Sequence, residues 1–490
     1  MKDLLRKYVD EFNRNDDELY VNEIPNAAAY EWLCDRIPLF ECPDKELEKT
    51  YYFRWWTYRK HVKHTPEGYA ISEFLPDVLW AGRYNIINAP AGHHFYEGRW
   101  LRKSDGVFSD YLRFYLNNSE DAHRYSSWLL YAAMQYELVG GELSVGEGEL
   151  LKMIEYYEEW ERGHRLPTGA FWSYDDRDAM EYSISGHRNG KMVKGIRPTL
   201  NSYMCAEAVA IAYFADKIGV NNVKEEYLRK AEELRRIMNE TLVFDGFYKA
   251  RHGEHDDEIL EVLKRSDDTG SPMELIGYVP FMFGLAPDGL ERAFYHLDDS
   301  EVFLAKTGMA TADMRHPDFL KEYNHECLWN GYVWPFATSQ VLTGLIKTIH
   351  RGHPELKPIF IKHLDLYSKM HRIELDGTTL PWIDEVMSPH ENVWTSRAIL
   401  EGLGWQEGLG GKERGKDYNH STFCDLVISG IVGVRTDSEQ LTLDPAIPRD
   451  WEYMRLDNLE YRGKLYTVIY DKTGEKYGKG KGLRIIESEK

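Results

Sequence analysis

Cysteine is scarce in this chain of 490 residues. No Cys-x-x-Cys pair occurs among the five cysteines, which are Cys34, Cys42, Cys205, Cys327 and Cys424. An odd and scattered set of thiols argues against a disulfide framework and against a zinc site. We therefore expect a fold stabilised by its hydrophobic core, for which 43% hydrophobic residues provide enough material.

Long apolar runs are also missing from the sequence. A membrane-spanning helix needs about 18 or more consecutive apolar residues, and no such run occurs. The residues that follow Met1 include several charged side chains, whereas a secretory signal peptide needs an apolar segment there. We therefore expect a cytoplasmic protein.

Basic residues are outnumbered, with 60 Lys and Arg against 81 Asp and Glu and a net charge of −21. The field of such a chain repels polyanions, so we expect neither nucleic acid nor an anionic membrane as a partner. The same charge also favours solubility. These observations leave a small molecule as the expected partner, and they are compatible with a homo-oligomer.

Amphipathic helices dominate the middle of the chain. They recur from about residue 119 to about residue 434, joined by long loops, and one of them is predicted to open at Asn118 and end at Gly140. After Gly433, short segments separated by turn residues predict strands. We predict about twelve helices in two concentric layers over residues 1–435, and a β-rich tail over residues 436–490 that holds all the strands.

Aromatic residues make up 13% of the chain and gather in loop segments together with polar residues. Flat rings beside polar groups suit a sugar, because rings pack on its apolar C–H face while polar groups bind its hydroxyls. The first such segment, residues 53–100, holds Trp80 and the candidate sugar-binding residues Trp55, Trp56, Arg99 and Trp100. The same rings could equally pack between helices.

A second segment, residues 171–186, combines aromatic rings with acids. Its four carboxylates fall close together beside Trp172 and Tyr174, and they are Asp175, Asp176, Asp178 and Glu181. A carboxyl held near rings loses hydration, so its pKa rises and it can serve as a general acid near neutral pH. Trp172 and Asp176 are further candidates for contact with the sugar.

A third segment, residues 326–335, places Trp329, Asn330 and Trp334 ahead of a helix that starts at Pro335. Proline is favoured at the first position of a helix, so this pattern predicts a rigid aromatic wall at a loop-to-helix corner. All three residues before the proline are candidates for contact with a sugar.

A fourth segment, residues 381–394, sets Asp384 and Glu385 directly after Trp382 and Ile383. It again places carboxylates against apolar surface. Together with the second segment it supplies the two carboxylic acids that glycoside cleavage needs, one to protonate the leaving oxygen and one to deprotonate a water.

Other chemistries have little support in the sequence. It contains no P-loop, no Gly-x-Gly-x-x-Gly after a strand, no Gly-x-Ser-x-Gly and no His-Glu-x-x-His, and we expect no cofactor. Adjacent histidines in one strand or helix point apart, so we expect no metal site. A sugar epimerase or isomerase is an alternative, because that chemistry can use a pair of histidines as acid and base. The candidates for such a pair are His93, His94, His390 and His420. A carbohydrate-binding protein without catalysis would leave the carboxylates unexplained.

At these four segments the sequence resembles the mannosylglycerate-hydrolase-like branch of the clan G glycoside hydrolases, whose fold is an (α/α)6 barrel. The family's Trp-x-Gly-x-x-Trp-Pro segment is matched by Trp329 to Pro335, and its Glu-x-x-x-Pro segment by Glu385 to Pro389. The resemblance implies that Glu385 is the general base, with Asp384 as the alternative.

The same resemblance implies a general acid in the loop before the buried helix that contains Asn201. Asp178 matches that acid best by position, and Asp176 and Glu181 stay open, because the family's usual Gly-Met-Asp-Asn-Ser-Pro is replaced here by Asp-Arg-Asp-Ala-Met-Glu. Asn330 stands where the family has an arginine.

The resemblance and the residues together predict inverting hydrolysis of an α-glycosidic bond in a small saccharide or glycoside. We expect Asp178 and Glu385 to face each other across one aromatic pocket, with their carboxyl groups about 6.5–9.5 Å apart. The residues expected to shape that pocket are Trp55, Trp56, Arg99, Trp100, Trp172, Asp176, Trp329, Asn330 and Trp334.

Overall fold

The computed structural model describes residues 1–265 and 270–488. The α-helices found there are α1 (Lys2–Arg14), α2 (Ala29–Arg36), α3 (Lys45–Lys60), α4 (Ala91–Gly98), α5 (Val107–Asn117), α6 (Ser119–Ala122), α7 (Leu129–Leu138), α8 (Glu147–His164), α9 (Pro198–Lys217), α10 (Asn221–Thr241), α11 (Ile259–Val262), α12 (Val279–Met282), α13 (Pro335–His350), α14 (Lys357–Met370), α15 (Thr395–Gly402) and α16 (Cys424–Leu426). A π-helical turn over Val427–Ile431 extends α16, and a 3₁₀ helix spans Leu290–Asp298.

Six helices close a ring around the centre of the molecule. In order, α4 contacts α7, α7 contacts α9, α9 contacts α12, α12 contacts α13, and α16 contacts both α13 and α4. Nearly all residues of these helices are buried. A helix that is covered on every side can be apolar all round, which explains the almost continuous apolar sequence of α9.

A second layer packs outside that ring. Helix α3 packs on α16, α5 on α7, α8 and α10 on α9, and α14 on α13. The 3₁₀ helix Leu290–Asp298 covers α12, with the rings of Phe294 and Phe281 centred 4.9 Å apart. The described residues thus form the predicted (α/α)6 barrel with its two concentric layers.

The strands of the described residues are β1 (Leu39–Glu41), β2 (Val62–Thr65), β3 (Gly68–Ile71), β4 (His187–Arg188), β5 (Lys191–Met192), β6 (Gly195–Ile196), β7 (Val243–Phe244), β8 (Phe247–Tyr248), β9 (Arg251–His252), β10 (Arg372–Leu375), β11 (Thr378–Pro381), β12 (Val434–Arg435), β13 (Thr442–Leu443), β14 (Tyr453–Tyr461), β15 (Lys464–Asp471) and β16 (Gly482–Ser488). The largest sheet is antiparallel, with the strand order β1-β14-β15-β16.

The predicted strands of the tail are confirmed, but the expectation that all strands lie in the tail is wrong. Strand β1 comes from the N-terminal part of the chain and pairs with β14. Hairpins such as β2–β3 and β10–β11 lie in the connections between helices. Long connections must satisfy their own backbone groups, and short antiparallel pairs achieve this. The domain boundary at residue 435 stays a prediction.

The single helix predicted to open at Asn118 is in fact two helices, α6 and α7. Between the two helices, the N–H of Ser126 donates 2.7 Å to the carbonyl of Arg177. The acid-rich segment 171–186 therefore contacts the chain where α6 and α7 separate.

Two buried glutamates fix the starts of inner helices. Glu97 of α4 accepts hydrogen bonds from the backbone N–H groups of Cys424 at 2.9 Å and Asp425 at 2.8 Å. Glu207 of α9 accepts from the N–H of Leu130 at 3.0 Å. A carboxylate at a helix N-terminus satisfies free N–H groups and complements the helix dipole. These contacts hold in place the end of the barrel at which the longest loops gather.

None of the helices within residues 1–265 and 270–488 has the length and apolar composition that crossing a bilayer requires.

Candidate active site

A cavity of about 250 Å³ lies at the end of the barrel where the inner helices begin. Its walls come mainly from the loops that lead into α4, α7, α9, α13 and α16. The lining residues are Glu73, Phe74, Trp80, Ile87, Ala89, Tyr125, Ala179, Glu181, His325, Glu326, Cys327, Trp329, Trp334, Phe336, Glu385, Arg414, Tyr418 and His420. The cavity therefore combines carboxylates with large aromatic rings.

Glu385 lines this cavity and is held by three neighbours. Ser396 Oγ donates 2.8 Å to Glu385 Oε2, Cys327 Sγ donates 3.2 Å to Oε1, and the guanidinium of Arg414 also donates to Oε2. Arg414 in turn donates 2.7 Å to Glu326. These contacts orient the Glu385 carboxylate and balance its charge, which suits a group that must accept a proton from water.

Glu181 lines the same cavity and is half-buried. Burial, together with the charges of nearby carboxylates such as Asp175 and Glu385, raises its pKa to about 8. A carboxyl that stays protonated near neutral pH can deliver a proton to a leaving group.

The backbone around Glu181 is bent in an unusual way. Ala179 and Tyr182, on either side of it, have φ angles of 55° and 60°. Non-glycine residues rarely adopt positive φ, and such conformations gather at functional sites. The N–H of Trp329 donates 3.1 Å to the Glu181 carbonyl, so this bent segment is tied to the aromatic wall.

Glu73 is a third carboxyl in the cavity wall. The Tyr418 hydroxyl donates 2.5 Å to its Oε1. Burial, together with the charge of Glu385, raises the pKa of Glu73 to about 8, although the hydrogen bond from Tyr418 opposes that shift. At neutral pH, Glu73 is therefore a neutral group that can both donate and accept a hydrogen bond.

The aromatic wall predicted from the sequence lines the cavity. The rings of Trp329 and Trp334 stack with centroids 4.3 Å apart and planes inclined by 16°. Among the described residues, neither Trp329 Nε1 nor His420 Nε2 has a hydrogen-bond partner, although both side chains are buried. Buried polar atoms are nearly always paired, so these two are exceptions, and their lack of accessible surface places them behind the surface of the cavity.

Asp178 lies elsewhere, so the expected pairing of Asp178 with Glu385 across one pocket is not found. Arg197 Nε lies 2.7 Å from Asp178 Oδ2, and both side chains are buried. Ser126 Oγ donates 2.7 Å to Asp178 Oδ1, and Thr199 also donates to Oδ2. Asp178 therefore holds its loop against the start of α9 rather than lining the cavity. Position in the sequence does not distinguish these acids, because four of them lie close together in one irregular loop.

Most of the other candidate sugar-binding residues also lie away from the cavity. Arg99 and Trp100 both contact Asp425, at 2.7 Å each, inside the barrel. Trp55 and Trp56 pack within and beside α3, where Trp55 lies against Tyr58 and Trp56 against Phe12. The structure therefore shows the alternative given for the rings of the first segment, which is packing between helices.

The remaining candidates are placed as follows. Trp172 packs against His164 with ring centroids 4.8 Å apart, and Asp176 is exposed and does not line the cavity. Asn330 donates 2.8 Å to the carbonyl of Lys321 and is buried behind the aromatic wall. Asp384 is buried next to Glu385, whose N–H donates 2.9 Å to Asp384 Oδ1. Of the candidates, Glu181, Glu385, Trp329 and Trp334 are brought together.

The four histidines on which the isomerase alternative depends do not lie together. Of the four, His420 lines the cavity, His390 is exposed, and His94 accepts from or donates to Tyr111 at 2.9 Å inside the barrel. Burial lowers the pKa of His93 and of His420 well below the usual value. No two of these four histidines line the cavity together.

Several lining residues were not predicted, notably Glu73, Cys327 and Arg414. Arg414 lies in the stretch 402–417, and Glu73 in a loop without a motif. For Glu181, by contrast, the sequence contains an indication. When Met180 is aligned with the methionine of Gly-Met-Asp-Asn-Ser-Pro, Glu181 aligns with the aspartate and Ser183 with the serine.

Solved structures resemble this fold. A protein described as a sialidase is 33% identical, with a TM-score of 0.86, and the match covers 98% of this chain and 42% of that protein. This chain thus spans less than half the length of that relative. The GH78 family rhamnosidase of Bacillus sp. GL1 is 11% identical with a TM-score of 0.57, covering 89% and 40% of the two chains. The α-L-rhamnosidase from Dictyoglumus thermophilum is 13% identical with a TM-score of 0.52, covering 90% and 43%. At these low identities the rhamnosidases show a shared fold only.

Family relationships follow from the sequence as well. Residues 434–487 match the C-terminal domain of glycosyl hydrolase family 65. Residues 83–421, most of the barrel and nearly all of the cavity wall, match the mannosylglycerate hydrolase MGH1-like glycoside hydrolase domain. The resemblance seen in the four loop segments is thereby confirmed, and the chain belongs to the MGH1-like family of glycoside hydrolases.

Proposed function

We propose that this protein hydrolyses the α-glycosidic bond of a small uncharged saccharide or glycoside with inversion, with Glu181 as the general acid and Glu385 as the general base. The observation that carries the proposal is that both carboxyls line one cavity but have different neighbours. Glu181 has its pKa raised to about 8 by burial, whereas Glu385 is balanced by the guanidinium of Arg414. Two carboxyls with environments this different suit an acid and a base.

In the proposed reaction, the Glu181 proton passes to the oxygen between the two sugars as the bond from that oxygen to the anomeric carbon breaks. Glu385 removes a proton from a water molecule, whose oxygen attacks the opposite face of the anomeric carbon. Each carboxyl returns to its starting state when Glu385 releases its proton and Glu181 regains one. Room for the water requires a carboxyl separation of about 6.5–9.5 Å, which stays a prediction.

The small volume of the cavity and the groups that line it support removal of a single terminal sugar. Its volume of about 250 Å³ is small beside the roughly 300–1,000 Å³ of sites for larger ligands. The protonated Glu73 can bind a hydroxyl group, while the stacked Trp329 and Trp334 rings can cover a C–H face.

A sialidase activity is a second candidate, because a 33% identical relative is described by that name. A sialic acid carries a carboxylate, which needs a cation to bind it. Within the described part of the chain, Arg414 is the only Lys or Arg in the cavity wall, and it already contacts Glu326 and Glu385. An uncharged sugar therefore fits the cavity better.

The test is a screen of aryl α-glycosides and natural disaccharides, with product analysis. We expect release of a monosaccharide from one class of uncharged α-glycoside and none from a sialoside. Release from a sialoside alone would refute the uncharged-sugar proposal. An isomerised sugar with no second product would instead favour the isomerase.

A further inference from the structure

Four aromatic side chains form a continuous patch next to Glu181. The Tyr182 ring stacks on His187 at 4.9 Å with an interplanar angle of 14°, and its centroid lies 4.6 Å from that of Tyr323 and 5.3 Å from that of His325. All four side chains are half-buried. The fold itself therefore leaves part of each of these four residues uncovered.

This patch is continuous with the cavity on the side of the proposed acid. Tyr182 follows Glu181 directly in the chain, and its positive φ of 60° turns the backbone at that point. His325 belongs both to the patch and to the cavity wall. A leaving group protonated by Glu181 must lie on the Glu181 side of the bond that breaks, which is where the patch begins.

The charges beside the patch disfavour an anionic leaving group. Lys321, close to Tyr323 in the chain, is paired with Asp318 at 3.0 Å, and Arg188 donates 2.6 Å to His252. Glu326 faces the cavity next to His325. These two cations, Lys321 and Arg188, are thus engaged, while rings and carboxylates suit an uncharged, hydroxyl-bearing ring.

We propose that Tyr182, His187, Tyr323 and His325 form the leaving-group subsite, and that it binds the pyranose ring of an uncharged sugar by stacking. This proposal rests on the proposed function. It makes the substrate a disaccharide or longer saccharide with an uncharged second sugar, instead of a glycoside of a small acid.

The test compares two substrates of the same terminal sugar, a disaccharide and the α-glycosyl fluoride. The fluoride ion is too small to touch the patch, so its release needs only the cavity. Tyr323→Ala should lower kcat/KM for the disaccharide about five- to tenfold, as expected for losing one aromatic stacking contact, and leave the fluoride within about twofold. Tyr323→Phe keeps the ring and should keep the disaccharide rate.

Tyr295→Ala is the matched control, because Tyr295 is an exposed tyrosine (53%) on the outer 3₁₀ helix. Equal losses on both substrates in Tyr323→Ala would show a structural role and overturn the subsite, as would no loss on either. A wild-type protein that hydrolyses neither substrate would instead refute the proposed function, and the subsite with it.

Discussion

Arg414 donates to the carboxylate of Glu385 inside the cavity, so one loop carries the proposed base and another loop orients it. Arg414 is almost fully buried and also donates to Glu326, which lines the same cavity. A planar guanidinium holds two carboxylates in directions fixed by its rigid fork of donors, whereas an ammonium is a point charge on a flexible stem.

Arg414→Lys should therefore keep the positive charge and lose the orientation of Glu385. We expect kcat to fall by about a hundredfold, the typical cost of a small misplacement of a catalytic group. Steady-state kinetics on the substrate found in the screen measure this. Arg435→Lys, in an exposed pair with Asp437, is the control and should be neutral. An unchanged kcat in Arg414→Lys would show that the guanidinium does not orient the base.

Glu181→Gln should remove proton donation and little else, because the two side chains have nearly the same shape. We expect kcat on a disaccharide to fall about 10²–10⁴-fold. The α-glycosyl fluoride, whose leaving group needs no proton, should be hydrolysed at close to the wild-type rate. If both substrates are lost equally, Glu181 is not the acid.

The pH profile of kcat/KM should fall on the alkaline side. Burial raises the pKa of Glu181 to about 8, so the carboxyl is protonated below that pH and loses its proton above it. Activity that needs the proton is thus present at neutral pH and declines as the pH rises through about 8. A rate on the disaccharide that stays constant well above that pH would contradict the assignment.

Asp178→Asn should affect stability instead of chemistry. The change removes the ion-pair partner of Arg197, which is buried. Removing one partner of a buried ion pair costs about 3–5 kcal/mol in the free energy of unfolding, which urea denaturation can measure. The variant should keep its kcat where it remains folded, and Asp437→Asn at the surface should be neutral. A stable but inactive Asp178→Asn would restore Asp178 as the acid.

The helices could be predicted because their apolar spacing is a local property of the sequence. The almost wholly apolar stretch of α9 predicts burial on all sides, and the structure places α9 in the inner ring. Strand β1 could not be predicted in the same way, because its partner β14 lies hundreds of residues later.

The site was predicted in part. Trp329, Trp334 and Glu385 follow motifs next to a helix start or a proline, so their positions in the wall could be expected. The choice between Asp178 and Glu181 depended on the direction of side chains in an irregular loop. The register of Met180 and Ser183 on the family pattern favours Glu181, but the positive φ of Ala179 and the contact between Asp178 and Arg197, which orient these side chains, are not visible in residue spacing. Trp55 was misplaced because a ring on a buried helix and a ring in a sugar site have the same sequence signature.

The most direct test of the two-carboxylate account is the configuration of the first sugar released. ¹H NMR, recorded within the first minutes of hydrolysis of an α-glycoside, distinguishes the two anomers before they interconvert. Inversion by Glu181 and Glu385 predicts that the β-anomer forms first and the α-anomer appears only later by mutarotation. Initial release of the α-anomer would contradict the account, because it requires a covalent intermediate on a carboxylate about 5–5.5 Å from the acid.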